Sequence, residues 1–237
     1  MMQTFTINDA IFWIGFIGVI VYFIWRRIQR RKQEAHDREL IQTVTRLDRG
    51  TASERKLVLE LLKLGYSSSD IFHDLYVERG GGWYSQCDVI LITKTGVVVF
   101  EVKDYRGWLF GKGNQTYWTQ VLNFGRGKYR FYNPVLQNST HIKALRMRMP
   151  QLNHIPIYSV VVYYGNCKFK DVSLIPQDVE VIYSRELHRV LSEILSRNEA
   201  QYFDLEGVKS VLRQSVENGS NPEIRYQHVK NIQDAMY

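Results

Sequence analysis

Two carboxylates and one amine in the middle of the chain have the types and spacing for shared chemistry: Asp88, Glu101 and Lys103. Glu101 and Lys103 flank Val102 at the end of the apolar run Val97–Phe100, and in a strand they point to the same face. Asp88 heads a second β-branched run to Thr93, and a short turn around Thr95-Gly96 joins the two. A hairpin loop at Lys94-Thr95, or over Thr93–Gly96, places Asp88 opposite Glu101, whereas a loop at Thr95-Gly96 places it opposite Lys103. Each even loop keeps all three on one face; an odd loop sends Asp88 to the other. Directly opposed residues have Cβ atoms only ~5 Å apart. Two carboxylates that close repel unless a cation lies between them, and Mg²⁺ at ~2.1 Å from each oxygen fits the gap. The plainer alternative is a salt bridge from Lys103 to either carboxylate. Because Val97–Phe100 is apolar on both faces, the strand is central, and charge there needs a partner.

Other chemistries drop out. There is no GxxxxGK[ST] phosphate loop, no HExxH, and no G-x-S-x-G ahead of a helix. The six histidines are scattered, and two cysteines, Cys87 and Cys167, are too few for a thiolate zinc site or a disulfide scaffold. They read as buried, reduced thiols.

The elements that must position these residues are legible in outline. A helix capped by Thr51 or Ser53 runs over Leu57, Leu61 and Leu62 to Gly65. Strand-like runs follow at 71–77, 88–93, 97–105, 108–111, 117–122 and 128–132, with Arg79–Gly82 a flexible loop. Asn133-Pro134 opens a helix that stops at Pro150, and 157–164 and 179–183 are further buried strands. Helices fill 184–200, 205–217 and 223–236. The order predicts an α/β fold with a mixed sheet flanked by helices.

The charge is uneven. The 237 residues carry +7 overall. Residues 26–38 hold six cations against two acids, and residues 103–148 hold nine against Asp104 alone. The remainder is acidic. The second block interleaves its cations with aromatics such as Tyr105, Trp108, Tyr117, Trp118 and Tyr129, a pattern suited to phosphates and unpaired bases. Arg106, Arg126, Lys128 and Arg130 are the candidate nucleic-acid contacts.

Ala10 to Trp25 is an uncharged run of sixteen residues, followed by WRRIQRRK. At ~1.5 Å per residue it is about 24 Å long, short of the ~30 Å hydrocarbon core unless Phe5 to Asp9 are added. Cations follow the run rather than precede it, which argues for a retained anchor and against a cleaved leader. The expectation is a short tail (1–9), a single-pass transmembrane anchor (10–25) in the lipid bilayer, and a basic juxtamembrane stalk (26–49). A main domain (50–183) and C-terminal helices (184–237) would then lie on the cytoplasmic side of the cell membrane.

From Gly50 to Leu145 the chain resembles the nuclease-related domain (NERD) family of the PD-(D/E)XK nuclease superfamily. The residues that carry the likeness are Ser53-Glu54, Gln86-Cys87-Asp88, Gly96, Phe100-Glu101-Val102-Lys103 with Gly107, Trp118, and Asn133-Pro134 with Gln137 and His141. Cys87 stands where the family usually has an aliphatic residue, and the superfamily's proline is missing before Asp88. The resemblance implies a restriction-endonuclease-like fold and Mg²⁺-dependent hydrolysis of DNA, with Mn²⁺ as a substitute metal. Asp88 and Glu101 would hold the metal, Lys103 would act on the attacking water and the phosphate, Glu54 would be an accessory ligand, and Gln137 would contact the phosphate. A second reading keeps the fold as an inactive module that binds nucleic acid or a protein at the membrane.

Overall fold

The computed structural model describes residues 7–122 and 125–235, without the side chains of 7–12, 14, 15 and 235. Its centre is a five-stranded sheet of order β1-β2-β3-β7-β9. These strands are Ile71–Gly80, Trp83–Thr93, Gly96–Asp104, Ile157–Tyr164 and Val179–Tyr183. The first three form an antiparallel meander, and β3, β7 and β9 run parallel. The remaining strands, β4 (Gly107–Lys112), β5 (Tyr117–Leu122), β6 (Gly127–Tyr132) and β8 (Cys167–Ser173), form a second sheet of order β6-β5-β4-β8.

Period-two alternation along β3 explains the layers. Val98, Phe100 and Val102 face helices α2 (Ala52–Lys63) and α4 (Leu187–Leu195), where Leu57, Leu61, Val190 and Ile194 cover them. Val97 and Val99 face α3 (Pro134–Arg148) and α5 (Leu205–Asn218), where Ala144, Leu145, Val208 and Leu212 close the second core. The second sheet packs Leu109, Trp118 and Cys167 against Val161 and Tyr163 of β7. Gly111 permits this: a Cβ there would lie 2.2 Å from the Trp118 ring.

Strands expected at 117–122, 157–164 and 179–183 are found with those bounds. Strand β8 was not expected. It is a polar edge strand, CKFKDVS, whose apolar residues do not form a run. The C-terminal helices pack on the domain. Arg49 Nη1 donates to Val216 O at the end of α5, and α6 (Pro222–Ala235) sets the His228 ring edge-on to Tyr76.

Helix α1 runs from Ile7 to Gln42 without a break. The basic stalk expected over 26–49 thus continues the first helix as far as Gln42. Its end is drawn into the domain, where the buried Arg49 guanidinium pairs with Asp74 at 3.0 Å. The transmembrane anchor expected over 10–25 forms the first half of α1. Among the described residues, no helix is long and apolar enough to cross a membrane. The sixteen-residue uncharged run is simply short, and residues 1–6 of the expected tail lie outside the described residues.

Candidate active site

The site forms where β2 peels away from β3. Their ladder pairs Thr93 with Gly96 and continues to Val89 with Phe100, so the loop is Lys94-Thr95 and Asp88 comes level with Glu101. There the backbone pairing stops. Val102 N–H donates instead to the Asp88 carboxylate at 2.7 Å.

A break in alternation on the neighbouring strand falls at the same level. Phe72 and Ile90 face α3 and α5, and so do Leu75, Val77 and Cys87, so the parity of both strands changes across Asp74 and Asp88. Asp74 absorbs the change with φ of 55°, a left-handed conformation that aspartate tolerates better than most residues. Its side chain is fixed by Arg49 and by Gln86 Nε2, which donates at 2.9 Å. A carboxylate is thereby presented at the seam between two strands instead of into a core face.

Glu101 is fully buried on β3. Lys103 Nζ lies 2.5 Å from its Oε1, and His141 Nε2 lies 3.2 Å from its Oε2. Both Glu101 oxygens are buried against these two basic nitrogens. Lys103 Nζ also donates to Gln137 Oε1 at 3.1 Å, and His141 Nδ1 meets Ser85 Oγ at 2.8 Å. One helix of capped Asn133-Pro134 origin thus brings Gln137 and His141, one turn apart, to Lys103 and Glu101.

The electrostatics follow from burial. Asp88 is pushed well above the ordinary carboxyl range, first by desolvation and then by Glu101 and Glu54. Burial opposes the ammonium of Lys103, yet Glu101 and Asp88 outweigh it and hold its pKa above the usual value. The Cys87 thiol is raised by burial and by the same two acids, which keeps it unreactive.

Glu54 sits in a separate but adjoining network. Its Oε2 meets His73 Nε2 at 3.2 Å, Thr51 Oγ1 donates to its Oε1 at 2.8 Å, and His73 Nδ1 meets Thr45 Oγ1 at 2.8 Å. Burial raises the Glu54 carboxyl, but His73 and Thr51 overcome that and lower it. Gly50 makes the room: its φ is 58°, and a Cβ would lie 2.4 Å from both Glu54 Oε2 and His73 Nε2. Gly50→Ala is therefore expected to cost about 2 kcal/mol or more and lower the melting temperature. An unchanged melt would mean that this network yields freely.

The expected residues are brought together unevenly. Asp88, Glu101, Lys103 and Gln137 meet at one locus, with Glu54 close enough to act on the Asp88 charge. Arg106, Arg126, Lys128 and Arg130 are exposed elsewhere, on the second sheet and the turns that border it. His73, Thr45 and Ser85 were not singled out in the sequence. His73 lies inside an apolar strand run and carries no spacing signal. Among the described residues no group of three or more His, Cys, Asp or Glu is placed to hold a metal.

Fold and site together define a mixed α/β domain with an acidic, lysine-bearing centre at the splayed end of its middle strands. Residues 49–164 match the nuclease-related domain (NERD) family. An uncharacterized protein of Bacillus anthracis is 30% identical over 188 residues, covering 78% of this chain and 84% of that protein. The chain belongs to the NERD family. No solved structure matches it.

Proposed function

We propose that this protein is a divalent-metal-dependent nuclease that hydrolyses phosphodiester bonds, with DNA as its first candidate substrate. The observation that carries the reading is the pair of buried carboxylates at the strand seam, Asp88 level with Glu101, with the Lys103 ammonium against them. Two buried carboxylates this close are costly unless cationic charge lies between them, and one ammonium offsets only one of the two. The donor set is all oxygen, which suits Mg²⁺. That two carboxylates rather than three donors are gathered also suits it, because Mg²⁺ keeps several waters and takes further oxygens from phosphate.

Asp88 and Glu101 would hold the ion. When bound, it would polarise the phosphate and lower the pKa of a water. Lys103 keeps its proton because two carboxylates face it, so it can stabilise negative charge that grows on the phosphate. Gln137 fixes the Lys103 ammonium from the α3 side, and His141, braced by Ser85, limits where the Glu101 carboxylate can turn. Glu54 adds negative charge from the α2 side, and its firm hold by His73 and Thr51 favours an outer-sphere role over direct ligation.

The Lys103–Glu101 ion pair favours a second reading, in which the cluster is an internal salt bridge and the domain only binds. Incubating the full chain with plasmid, single-stranded DNA and RNA separates the two. Cleavage with Mg²⁺ or Mn²⁺ that EDTA stops supports the nuclease; binding without cleavage in all three supports the second reading.

The first half of α1 is the candidate membrane element. Ile17, Val19, Val21, Phe23, Ile24 and Trp25 are all more than half exposed, a large apolar surface that the domain leaves in water. Arg26, Arg27, Arg30, Arg31 and Lys32 follow at once and suit anionic headgroups. The full chain is expected to sediment with membranes, and extraction at alkaline carbonate measures how deeply the segment is held. Release by carbonate would reduce the segment to a peripheral contact.

A further inference from the structure

The second sheet has one face in the protein and one in solvent, and the solvent face is not an ordinary polar surface. Leu109, Trp118, Phe131 and Cys167 point inward, so alternation turns the residues between them outward. Registers then align them in rows across all four strands. Lys128 pairs with Val121, Val121 with Trp108, and Trp108 with Lys168, a row with a cation at each end and apolar side chains between. The next row places Arg130 beside Thr119 and Phe110, and the third sets Tyr132 beside Tyr117.

Burial decides which rings are core. Trp118 is fully buried, and Phe131 packs on Tyr105 and on Trp118. Tyr117 and Tyr132, by contrast, are 47% and 44% exposed, edge to face with each other. The Arg130 guanidinium lies 4.8 Å over the Tyr117 ring, and Lys170 Nζ lies 5.0 Å over Trp108. A planar guanidinium on a ring is itself a surface on which a base can stack. Asp171 is the acid on this face against five cations, the fifth being Lys112.

We propose that the solvent face of the β8-β4-β5-β6 sheet is a stacking platform for single-stranded nucleic acid. The inference rests on the nuclease reading and names its substrate class. Cations along the sheet margins match a phosphate backbone, and the exposed rings of Tyr117 and Tyr132, with Arg130 beside them, match base faces. A duplex keeps those faces stacked inside and can use only the cations. The platform is joined to the site along the chain: β3, which carries Glu101 and Lys103, ends at Asp104, and β4 begins at Gly107. Trp108 was among the aromatics the sequence pointed to, but Lys168 and Lys170 were not; only the β4–β8 register brings them beside it.

Fluorescence anisotropy with labelled oligonucleotides of about a dozen residues, in EDTA so that cleavage does not intrude, tests this. Single-stranded DNA or RNA should bind at least about tenfold tighter than a duplex of equal length, and the comparison of the two single strands shows which is preferred. Tyr117→Ala with Tyr132→Ala should weaken single-strand binding about tenfold at an unchanged salt slope, and the double Phe variant should restore it. Lys128→Gln with Arg130→Gln should lower that slope by about 1.4, near 0.7 for each phosphate contact. Equal or tighter duplex binding, or Ala variants that bind like the parent, overturns the proposal. Failure of the nuclease reading looks different: ring-dependent single-strand binding would persist while Mg²⁺ produced no cleavage.

Discussion

Asp88→Asn is expected to reduce metal-supported cleavage by about 10³-fold while leaving the fold as stable as the parent or more so. Asn keeps an oxygen that can accept from Val102 N–H, so the seam between β2 and β3 survives. What disappears is a buried negative charge facing Glu101 and near Glu54, the groups that, after burial, raise the Asp88 carboxyl. The sign of the pH dependence follows. The folded value stands well above the unfolded one, about 3.9, so the folded state holds the proton more tightly. Stability from this group is greatest at or below that pH and falls as pH rises through the folded value. Near neutrality the parent carries the cost and the variant does not, so a melting temperature a few degrees higher is expected, with a flatter pH profile. Mg²⁺ should raise the melting temperature of the parent and leave that of Asp88→Asn unmoved. A large destabilisation with no Mg²⁺ response in the parent would make the cluster a structural salt bridge.

Lys103→Ala separates the two roles of the amine. As a charge that acts on the phosphate, its loss should slow cleavage by about 10²- to 10³-fold. As the counter-ion of Glu101, its loss leaves a fully buried carboxylate uncompensated, at a cost on the order of 3 kcal/mol, since Lys103 itself is partly exposed. Both effects are expected together, and their response to metal is distinctive. A cation at Asp88 and Glu101 supplies the charge that the amine supplied, so Mg²⁺ should stabilise Lys103→Ala more than it stabilises the parent. Melting curves with and without Mg²⁺ measure this. Equal shifts in the two proteins would place the metal away from Glu101.

Part of this centre was legible in the sequence because β3 and the adjoining half of β2 keep two-residue periodicity. The apolar runs marked β2 and β3, and each even loop kept Asp88 near Glu101 and Lys103, but which of the two registers holds is decided only by the observed ladder, Thr93 with Gly96, which puts Asp88 level with Glu101. Asn133-Pro134 marked the start of α3, which fixed the face carrying Gln137 and His141. The parity change across Asp74 and Asp88 was not legible. IFHDLYV reads as one uninterrupted strand, and only a left-handed φ at Asp74 reverses its faces. The His73–Glu54 contact depends on that packing and on the space at Gly50, neither of which has a local signature. Strand β8 escaped because an edge strand needs no apolar run. The uncharged run at 10–25 was legible as a helix, but its length is marginal for a span, and composition alone does not convert it into one.

The claim that Asp88 and Glu101 form one cation site is tested most directly by Mn²⁺ titration read by electron paramagnetic resonance, without nucleic acid. The full chain should take up Mn²⁺ that Mg²⁺ displaces, and both Asp88→Asn and Glu101→Gln should lose that uptake while remaining folded. No uptake by the parent, or uptake that survives both substitutions, would contradict the account.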